Sequence, residues 1–298
     1  MATLTDNTRG ALIMTASMAC FTFGDTCVKA LGTLGMPLSQ ILVIRGILAT
    51  SFILGLAWWL GQLRFRMSRR DASLVALRSI AEAAAAYFFL TALIHMPLAN
   101  VTALLQMLPL TVTLGSAVFF AEPVGWRRWM AIAIGFVGMV LIVRPGTEGF
   151  DLHAVYALIA VLGVTLRDLV TRRLSKTVPS LTVTVCSSFA VLIFAAIWSV
   201  GQEWVAVDGS TGLWLLGASV LIIGGYTFSV MVMRVGDVSF TAPFRYTGLV
   251  WALLLGWLVF GDWPSELTLI GASMIVGTGL FTLWREKRVA RAAQRPIS

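Results

Sequence analysis

Charge is what this sequence has least of. Only 12% of its 298 residues are Asp, Glu, Lys or Arg, where a soluble domain carries about 25%. With 58% apolar residues and a mean hydropathy of +0.88, a water-exposed surface cannot be assembled, which excludes a soluble enzyme, a nucleic-acid binder and a disordered tail. Cysteines number three. Cys20, Cys27 and Cys186 all lie in apolar stretches, so they make no disulfide framework and read as small hydrophobes. The two histidines, His95 and His153, lie near loops with no further ligand at metal spacing. There is no phosphate-binding glycine loop, zinc-hydrolase motif or nucleophile triad. No cofactor or metal is expected, and energy from ATP would need another chain.

What the chain has in abundance is apolar runs. Broken at Gly, Pro and charged residues, they give ten helices near Gly10–Leu31, Ser39–Leu60, Ala72–Ile94, Leu98–Phe120, Arg127–Val143, Leu152–Val170, Ser180–Val200, Gly212–Met233, Phe240–Phe260 and Leu267–Trp284. About 20 apolar residues cross a bilayer, so an all-α integral membrane protein with ten spans is expected. The first run has one nearby cation, Arg9, and no small-residue cleavage site, and it reads as a span and not a signal peptide. Trp58, Trp59, Trp126, Trp129, Trp204, Trp214, Trp263 and Trp284 lie at span ends as an interfacial belt. The net charge of +8 fits the same class, because surplus Lys and Arg collect in cytoplasmic loops. With the N-terminus inside, 16 of the 22 Lys and Arg are cytoplasmic and only Arg144 is outside. Lys29, Arg45, Arg78, Arg167 and Arg245 fall within spans. This bias places both termini in the cytoplasm, with a basic tail over 285–298, and requires an even number of spans.

Two alignments reveal an internal repeat. Phe23-Gly-Asp25-Thr-Cys-Val-Lys29-Ala-Leu31 in span 1 matches Leu166-Arg-Asp168-Leu-Val-Thr-Arg172-Arg-Leu174 in span 6, 143 residues later. Phe119-Phe-Ala-Glu122 after span 4 matches Val259-Phe-Gly-Asp262 after span 9, 140 residues later. Two units of five helices follow, 10–143 and 152–284. An odd number of helices per unit turns the second upside down. The loop charges agree: four Arg (Arg64, Arg66, Arg69, Arg70) follow span 2, whereas Glu203 and Asp208 follow span 7. Inverted repeats of this kind build two alternating faces around a midplane site in many transporters.

These residues carry a resemblance. Arg45 in span 2 (Ile44-Arg45-Gly46), Pro109 in span 4 followed by Phe119-Phe-Ala-Glu122-Pro, Gly135 and Gly138 in span 5, and a second copy with Phe260-Gly-Asp262 and Gly271 resemble the EamA family of the drug/metabolite transporter superfamily. The likeness runs from Gly10 to Trp284. Within the superfamily the chain is similar to the YddG-like amino-acid and metabolite exporters of the bacterial inner membrane. The resemblance implies the five-plus-five architecture and a multi-pass location in the bacterial inner (cell) membrane. It also implies a small-molecule cargo, an amino acid or similar metabolite, exported by alternating access with spans 5 and 10 at the periphery. A monomer and a loose homodimer both stay open. Two departures stand out: Asp262-Trp263 replaces the Glu-Pro the family favours, and span 7 lacks an Arg matching Arg45.

Ionisable groups within spans cost about 2.5–3.5 kcal/mol each on insertion scales and default to functional candidates. Arg167 and Asp168, near the inner end of span 6, can snorkel to the cytoplasm. Lys29, four residues after Asp25, can reach the outer headgroups as an i, i+4 pair. Glu82 lies about 15 Å into span 3 at about 1.5 Å per residue, close to the bilayer middle, with Arg78 one turn below. The two either lock span 3 to a neighbour or face a water-filled cavity. In the second case Glu82 is a proton carrier or the partner of a substrate ammonium, with Ala83–Ala86 leaving room and Tyr87 beside it. Gln106 and Pro109 occupy the stretch of span 4 related to Pro243, Arg245 and Tyr246 in span 9, and the repeat alignment sets Gln106 opposite Tyr246. A proline inside a membrane helix frees carbonyls and bends the helix beside a cavity; polar glue between helices is the alternative. Tyr226, after Gly224-Gly225 in span 8, occupies the place of Tyr87 in span 3.

With Arg167 and Asp168 set aside, four cations (Lys29, Arg45, Arg78, Arg245) meet two anions (Asp25, Glu82), and a ligand carboxylate is the simplest completion. The expected substrate-binding or transport residues are therefore Asp25, Arg45, Arg78, Glu82, Tyr87, Gln106, Tyr226, Arg245 and Tyr246. Pro109, Gly224, Gly225 and Pro243 are the expected hinges, with spans 3–4 and 8–9 moving against spans 1–2 and 6–7. The expected function is a secondary transporter of amino acids or related small metabolites. A carrier for nucleotide-like, sugar or drug-like cargo, or a facilitative channel, is the alternative. A membrane enzyme would need convergent His, Asp or Cys residues.

Overall fold

The computed structural model describes residues 6–122, 124–145, 151–232, 235 and 238–293. Arg234 and Arg295, two of the sixteen cations counted as cytoplasmic, lie outside the described residues. Among the described residues every regular element is helical. In chain order these are α1 (Asp6–Thr33), α2 (Leu38–Trp59), α3 (Arg69–His95), α4 (Leu98–Leu105), α5 (Leu108–Phe120), α6 (Trp126–Val143), α7 (Leu152–Arg172), α8 (Ser180–Trp198), α9 (Gly209–Val232), α10 (Val238–Thr241), α11 (Thr247–Phe260) and α12 (Glu266–Ala293), with a 3₁₀ turn at Ala242–Tyr246 before α11. Among the described residues ten stretches are long and apolar enough to cross a membrane, and they match the ten runs read from the sequence within a few residues. Spans 4 and 9 are each broken, the first between α4 and α5 and the second at the 3₁₀ turn. Large apolar side chains stay exposed on every span, from Leu12 and Phe52 to Val250 and Ile270, a surface that lipid accommodates and water does not.

Local chemistry sets the helix ends. Pro37, Pro97 and Pro179 stand just before α2, α4 and α8, where a missing N–H costs nothing. The Ser68 hydroxyl accepts the Asp71 N–H at 3.0 Å and starts α3. The repeated motif at the ends of spans 4 and 9 proves to be a helix stop. Ala121 (φ 52°) and Gly261 (φ 70°) are both left-handed, and the next residues donate back alike, Glu122 N–H to Ser116 O at 3.4 Å and Asp262 N–H to Gly256 O at 3.0 Å. Outside the spans, Asp208 caps α9. Its Oδ1 accepts the Thr211 N–H and hydroxyl, each at 2.7 Å, and the Ser210 hydroxyl at 3.0 Å. These bonds hold its carboxyl down at about 2.

The helices pack into two compact units, and neither unit is one of the sequence repeats. The first comprises Cys20–Met96 and Leu152–Gly224; the second comprises Met1–Ala19, Pro97–Asp151 and Gly225–Ser298. In the first, α3 lies along α7 and α8, and α2 lies along α8. Ile53 and Ala57 of α2 bury against Leu181 and Val185 of α8. The α2 start is clamped by the Gln40 amide, which donates to Val205 O at 2.8 Å and accepts its N–H at 2.9 Å. In the second unit, α6 lies along α12 and α4 against α11. A Cβ on Gly271 would lie 2.4 Å from Gly138 O, and one on Gly138 would lie 2.7 Å from Gly271 O. These two backbones touch, as small residues allow in a membrane where close packing replaces the hydrophobic drive. Helices α2 and α8, like α6 and α12, are counterparts in the repeat. Each pair runs antiparallel, as inversion requires, and burying counterparts on one another is why the compact units cross the repeat boundary.

Candidate functional site

A polar seam runs through the first unit on α3, α7 and α8. Glu82 on α3 accepts from Arg167 Nη1 on α7 at 3.1 and 3.3 Å, and Arg167 also pairs with Asp168 at 2.9 Å. One turn below, Arg78 donates through Nε to the Thr171 hydroxyl at 3.0 Å and through Nη1 to the Ser187 hydroxyl on α8. The Ser187 and Ser79 hydroxyls share a further bond of 3.1 Å. At the seam's end the Ser175 N–H donates to Asp71 Oδ1 at 3.1 Å. The order is antiparallel: Asp71, Arg78 and Glu82 ascend α3 as Ser175, Thr171 and Arg167 descend the other side.

The partner of Glu82 is thus Arg167 and not Arg78. Arg167 does not snorkel away; its side chain is 24% exposed beside a Glu82 that is 19% exposed. A long guanidinium pointing along its own helix reaches a carboxylate on a neighbour more cheaply than it reaches water past α3. The sequence contained a signal for this: Arg78 and Glu82 on one helix, and Arg167 and Thr171 on the other, are each spaced four apart. The alanines after Glu82 serve close approach, since a Cβ on Gly163 of α7 would lie 3.1 Å from Ala85 Cβ. The seam sets two guanidiniums, Arg78 and Arg167, among three carboxylates, Asp71, Glu82 and Asp168.

Tyr87 continues α3 into an aromatic cluster, edge-on to Phe88 (5.1 Å between centroids), Phe194 (5.9 Å) and Trp198 (5.0 Å). Beyond it His95 and His153 stack face to face at 4.1 Å, a pairing that loop proximity alone did not suggest.

Lys29 also differs from expectation. It is 5% exposed, and its ammonium donates to Leu93 O at 3.2 Å and Met96 O at 2.6 Å. It caps the C-terminal end of α3, where the helix dipole and the last carbonyls favour a cation, and does not rise to the headgroups. Asp25, one turn earlier on α1, and Arg45 on α2 are half-buried. Arg45 Nη1 is buried with no hydrogen-bond partner.

In the second unit, Gln106 and Pro109 flank the break between α4 and α5. A proline at 109 cannot donate to the Leu105 carbonyl, and the chain turns there through Gln106 and Met107. Pro243 opens the 3₁₀ turn of span 9 in the same way. The breaks fall 140 residues apart, where the repeat alignment sets Gln106 opposite Tyr246. Tyr246 is 7% exposed; its hydroxyl is buried without a partner and lies where a Cβ on Gly279 of α12 would be, 1.7 Å away. Its neighbour Arg245 is exposed and Gln106 half-buried. Tyr226 is 37% exposed. The helix α9 runs unbroken through Gly224 and Gly225, and the division between the compact units falls between these two residues. Span 3 packs along spans 6 and 7 within one unit, and span 4 belongs to the other.

A family model described as the EamA-like transporter family matches the chain twice, over residues 8–144 and 152–284. The chain is similar to a riboflavin transporter of Vibrio cholerae, 28% identical over 288 residues, covering 95% of this chain and 96% of that one. It is similar to the pseudopaline exporter CntI of Pseudomonas aeruginosa, 26% identical and covering 89% and 93% of the two chains. An S-adenosylmethionine uptake transporter of Rickettsia felis is 26% identical over 201 residues, a match that spans 65% of that relative's length. A solved crystal structure shares the fold with a TM-score of 0.64 at 20% identity, over 94% of this chain and 98% of the other.

Proposed function

Because this chain belongs to the EamA-like transporter family, we propose that it is a secondary transporter carrying amino acids or related small metabolites across the bacterial inner membrane by alternating access, with net export. The observation that carries this reading is the matched pair of breaks in spans 4 and 9, at Gln106–Met107 and Ala242–Tyr246. At each break a proline withholds the N–H that would bond the carbonyl four residues back, and discontinuous membrane helices in two inverted repeats are the arrangement carriers use around substrate. A channel has no need of two such breaks. Pro109 and Pro243 hold the breaks, and Gly224-Gly225 lowers the bending cost of α9. The side chains assigned to substrate binding or transport are Asp25, Arg45, Arg78, Glu82 and Tyr87 in the first unit and Gln106, Tyr226 and Arg245 in the second, where Tyr246 holds the 3₁₀ turn on α12.

The named cargoes of the relatives favour a second reading. S-adenosylmethionine, riboflavin and pseudopaline are different metabolites, and one of these carriers is named for uptake, so a wider metabolite class or inward transport fits the same architecture. Purified protein in liposomes, screened for counterflow of labelled amino acids and then of flavins and nucleosides from each side, tests both. Saturable counterflow of an amino acid supports the proposal. Counterflow confined to another class replaces it, and flux without saturation overturns the carrier.

A further inference from the structure

Two connections at one end of the first unit carry seven cations. Arg64, Arg66, Arg69 and Arg70 lie where α2 gives way to α3, and Arg172, Arg173 and Lys176 lie where α7 gives way to α8; all seven are exposed. Both loops are fastened in place. The Thr182 hydroxyl on α8 accepts the Arg64 N–H at 3.1 Å and donates to Gln62 O, while Leu63 packs against the cluster of Ile53, Ala57, Leu181 and Val185. The Ser175 N–H of one loop donates to Asp71 Oδ1 beside the other at 3.1 Å. Arg70 and Lys176 each adjoin a residue of that bond, so the two sets of cations border one another. Asp71 is the only carboxylate the two connections contain. It is 7% exposed, and its oxygens accept the Ser175 N–H and the Ser68 hydroxyl. Like charges gathered near a screening length of about 8 Å repel one another, and one buried carboxylate does not offset seven cations.

We propose that this end of the first unit is a binding site for an anionic phospholipid, whose phosphate bridges the two loops. Three observations select that partner. Six of the seven cations are arginine; lysine would orient the chain equally well, but a guanidinium fork matches phosphate oxygens through paired N–H bonds. Next to the cations stand exposed apolar groups, Trp58, Trp59 and Leu60 at the end of α2 and Phe65 between Arg64 and Arg66. That order, apolar zone then cations, is the order of hydrocarbon and phosphate in a leaflet, whereas a soluble polyanion would leave the aromatic side chains in water. Finally, basic clusters of four to eight residues at the ends of membrane helices attract anionic lipid, and here the loops are held to α3 and α8 instead of trailing free. The site is independent of the cargo and needs only that the chain spans a membrane.

The test uses the full-length protein, stripped of lipid in a neutral detergent and returned to mixed micelles with equimolar phosphatidylcholine, phosphatidylglycerol and cardiolipin. Native mass spectrometry then counts the lipids retained per chain. Anionic lipid is expected to be retained about five-fold or more over phosphatidylcholine, and each cation removed from the loops should weaken retention about five-fold. Arg64→Gln with Arg66→Gln therefore costs about 25-fold and Lys176→Gln about five-fold. Arg127→Gln with Arg128→Gln, which removes the same charge from the second unit, should leave retention unchanged. Equal losses in the two double variants, or no preference for anionic lipid in the wild type, overturn the site and leave the cations to orient the chain. Displacement by glycerophosphoglycerol, a headgroup without chains, at the concentration of the lipid shows a free-phosphate site and also overturns it. If the loop variants fail to fold, the wild-type preference and its loss when salt is raised from about 0.1 to about 1 M decide alone. Counterflow in liposomes of neutral lipid separates this site from the carrier reading: saturable flux without any lipid preference leaves the carrier standing, and retained anionic lipid without flux leaves the lipid site standing.

Discussion

The Glu82–Arg167 pair makes an asymmetric prediction. Glu82 is bonded to one cation, whereas Arg167 is bonded to two carboxylates, Glu82 at 3.1 Å and Asp168 at 2.9 Å. Glu82→Gln leaves Arg167 still paired with Asp168, so the loss is one charge-assisted contact, about 1–1.5 kcal/mol. Arg167→Gln strands Glu82, 19% exposed, with its desolvation uncompensated, and costs about 3 kcal/mol; Asp168, at 35% exposure, recovers water and adds little. The double variant removes the stranded charge, so its cost falls below the sum of the two singles by about 1.5 kcal/mol. Reversible unfolding of the purified protein in mixed micelles, followed by tryptophan fluorescence, measures all four species. Equal costs for the two single changes, or strict additivity, would refute the pairing described here.

Gly271→Ala sets a Cβ 2.4 Å from the Gly138 carbonyl oxygen and is expected to cost about 1–3 kcal/mol by overpacking. Gly277→Ala, with nothing within 4 Å, is expected to be neutral or to gain up to about 1 kcal/mol; equal unfolding midpoints would contradict the α6–α12 contact. Reporter fusions should place Arg66 and Arg173 inside and Asp208 and Asp262 outside, and a cytoplasmic Asp208 would break the inverted arrangement. The Asp208 carboxyl is lowered from 3.8 to about 2 in the folded state, so its capping contribution is complete above about pH 4 and is lost as pH falls through about 2. Hydrogen exchange at the Thr211 amide should therefore speed up over that interval in the wild type and show no such step in Asp208→Asn. Cysteines at His95 and His153, bridged by a short cross-linker, are expected to leave transport intact, since α3 packs along α7 within one unit; lost transport would show that they part. Glu82→Gln with normal transport kinetics would confine Glu82 to bracing the fold.

Span positions were legible in the sequence because a run of about 20 apolar residues has few other uses. The repeated motif was legible as a repeat but not as a helix stop: Phe119-Phe-Ala-Glu122 and its second copy each end a helix with a left-handed residue, Ala121 or Gly261, and the same backward bond. Pro109 and Pro243 marked real interruptions. Side-chain partners were less accessible. Charge and depth placed Arg167 near water and Arg78 beside Glu82, but which helices touch is decided by small residues such as Ala85 and Gly163, whose contact carries no charge pattern. Lys29 escaped for a related reason. Its acceptors are backbone carbonyls at Leu93 and Met96, which every sequence position supplies alike. Likewise Tyr246 reads as a polar handle in the sequence, yet its ring is held on Gly279, where the missing side chain is the informative feature.

The central claim is a carrier that alternates around bound cargo, and counterflow measures it most directly. Liposomes holding the protein and loaded with an excess of an unlabelled amino acid should accumulate the labelled form transiently above its outside concentration. The initial rate should saturate, and trans-loading should accelerate it. Labelled solute that only equilibrates, at a rate linear in concentration and indifferent to what is inside, would contradict the account.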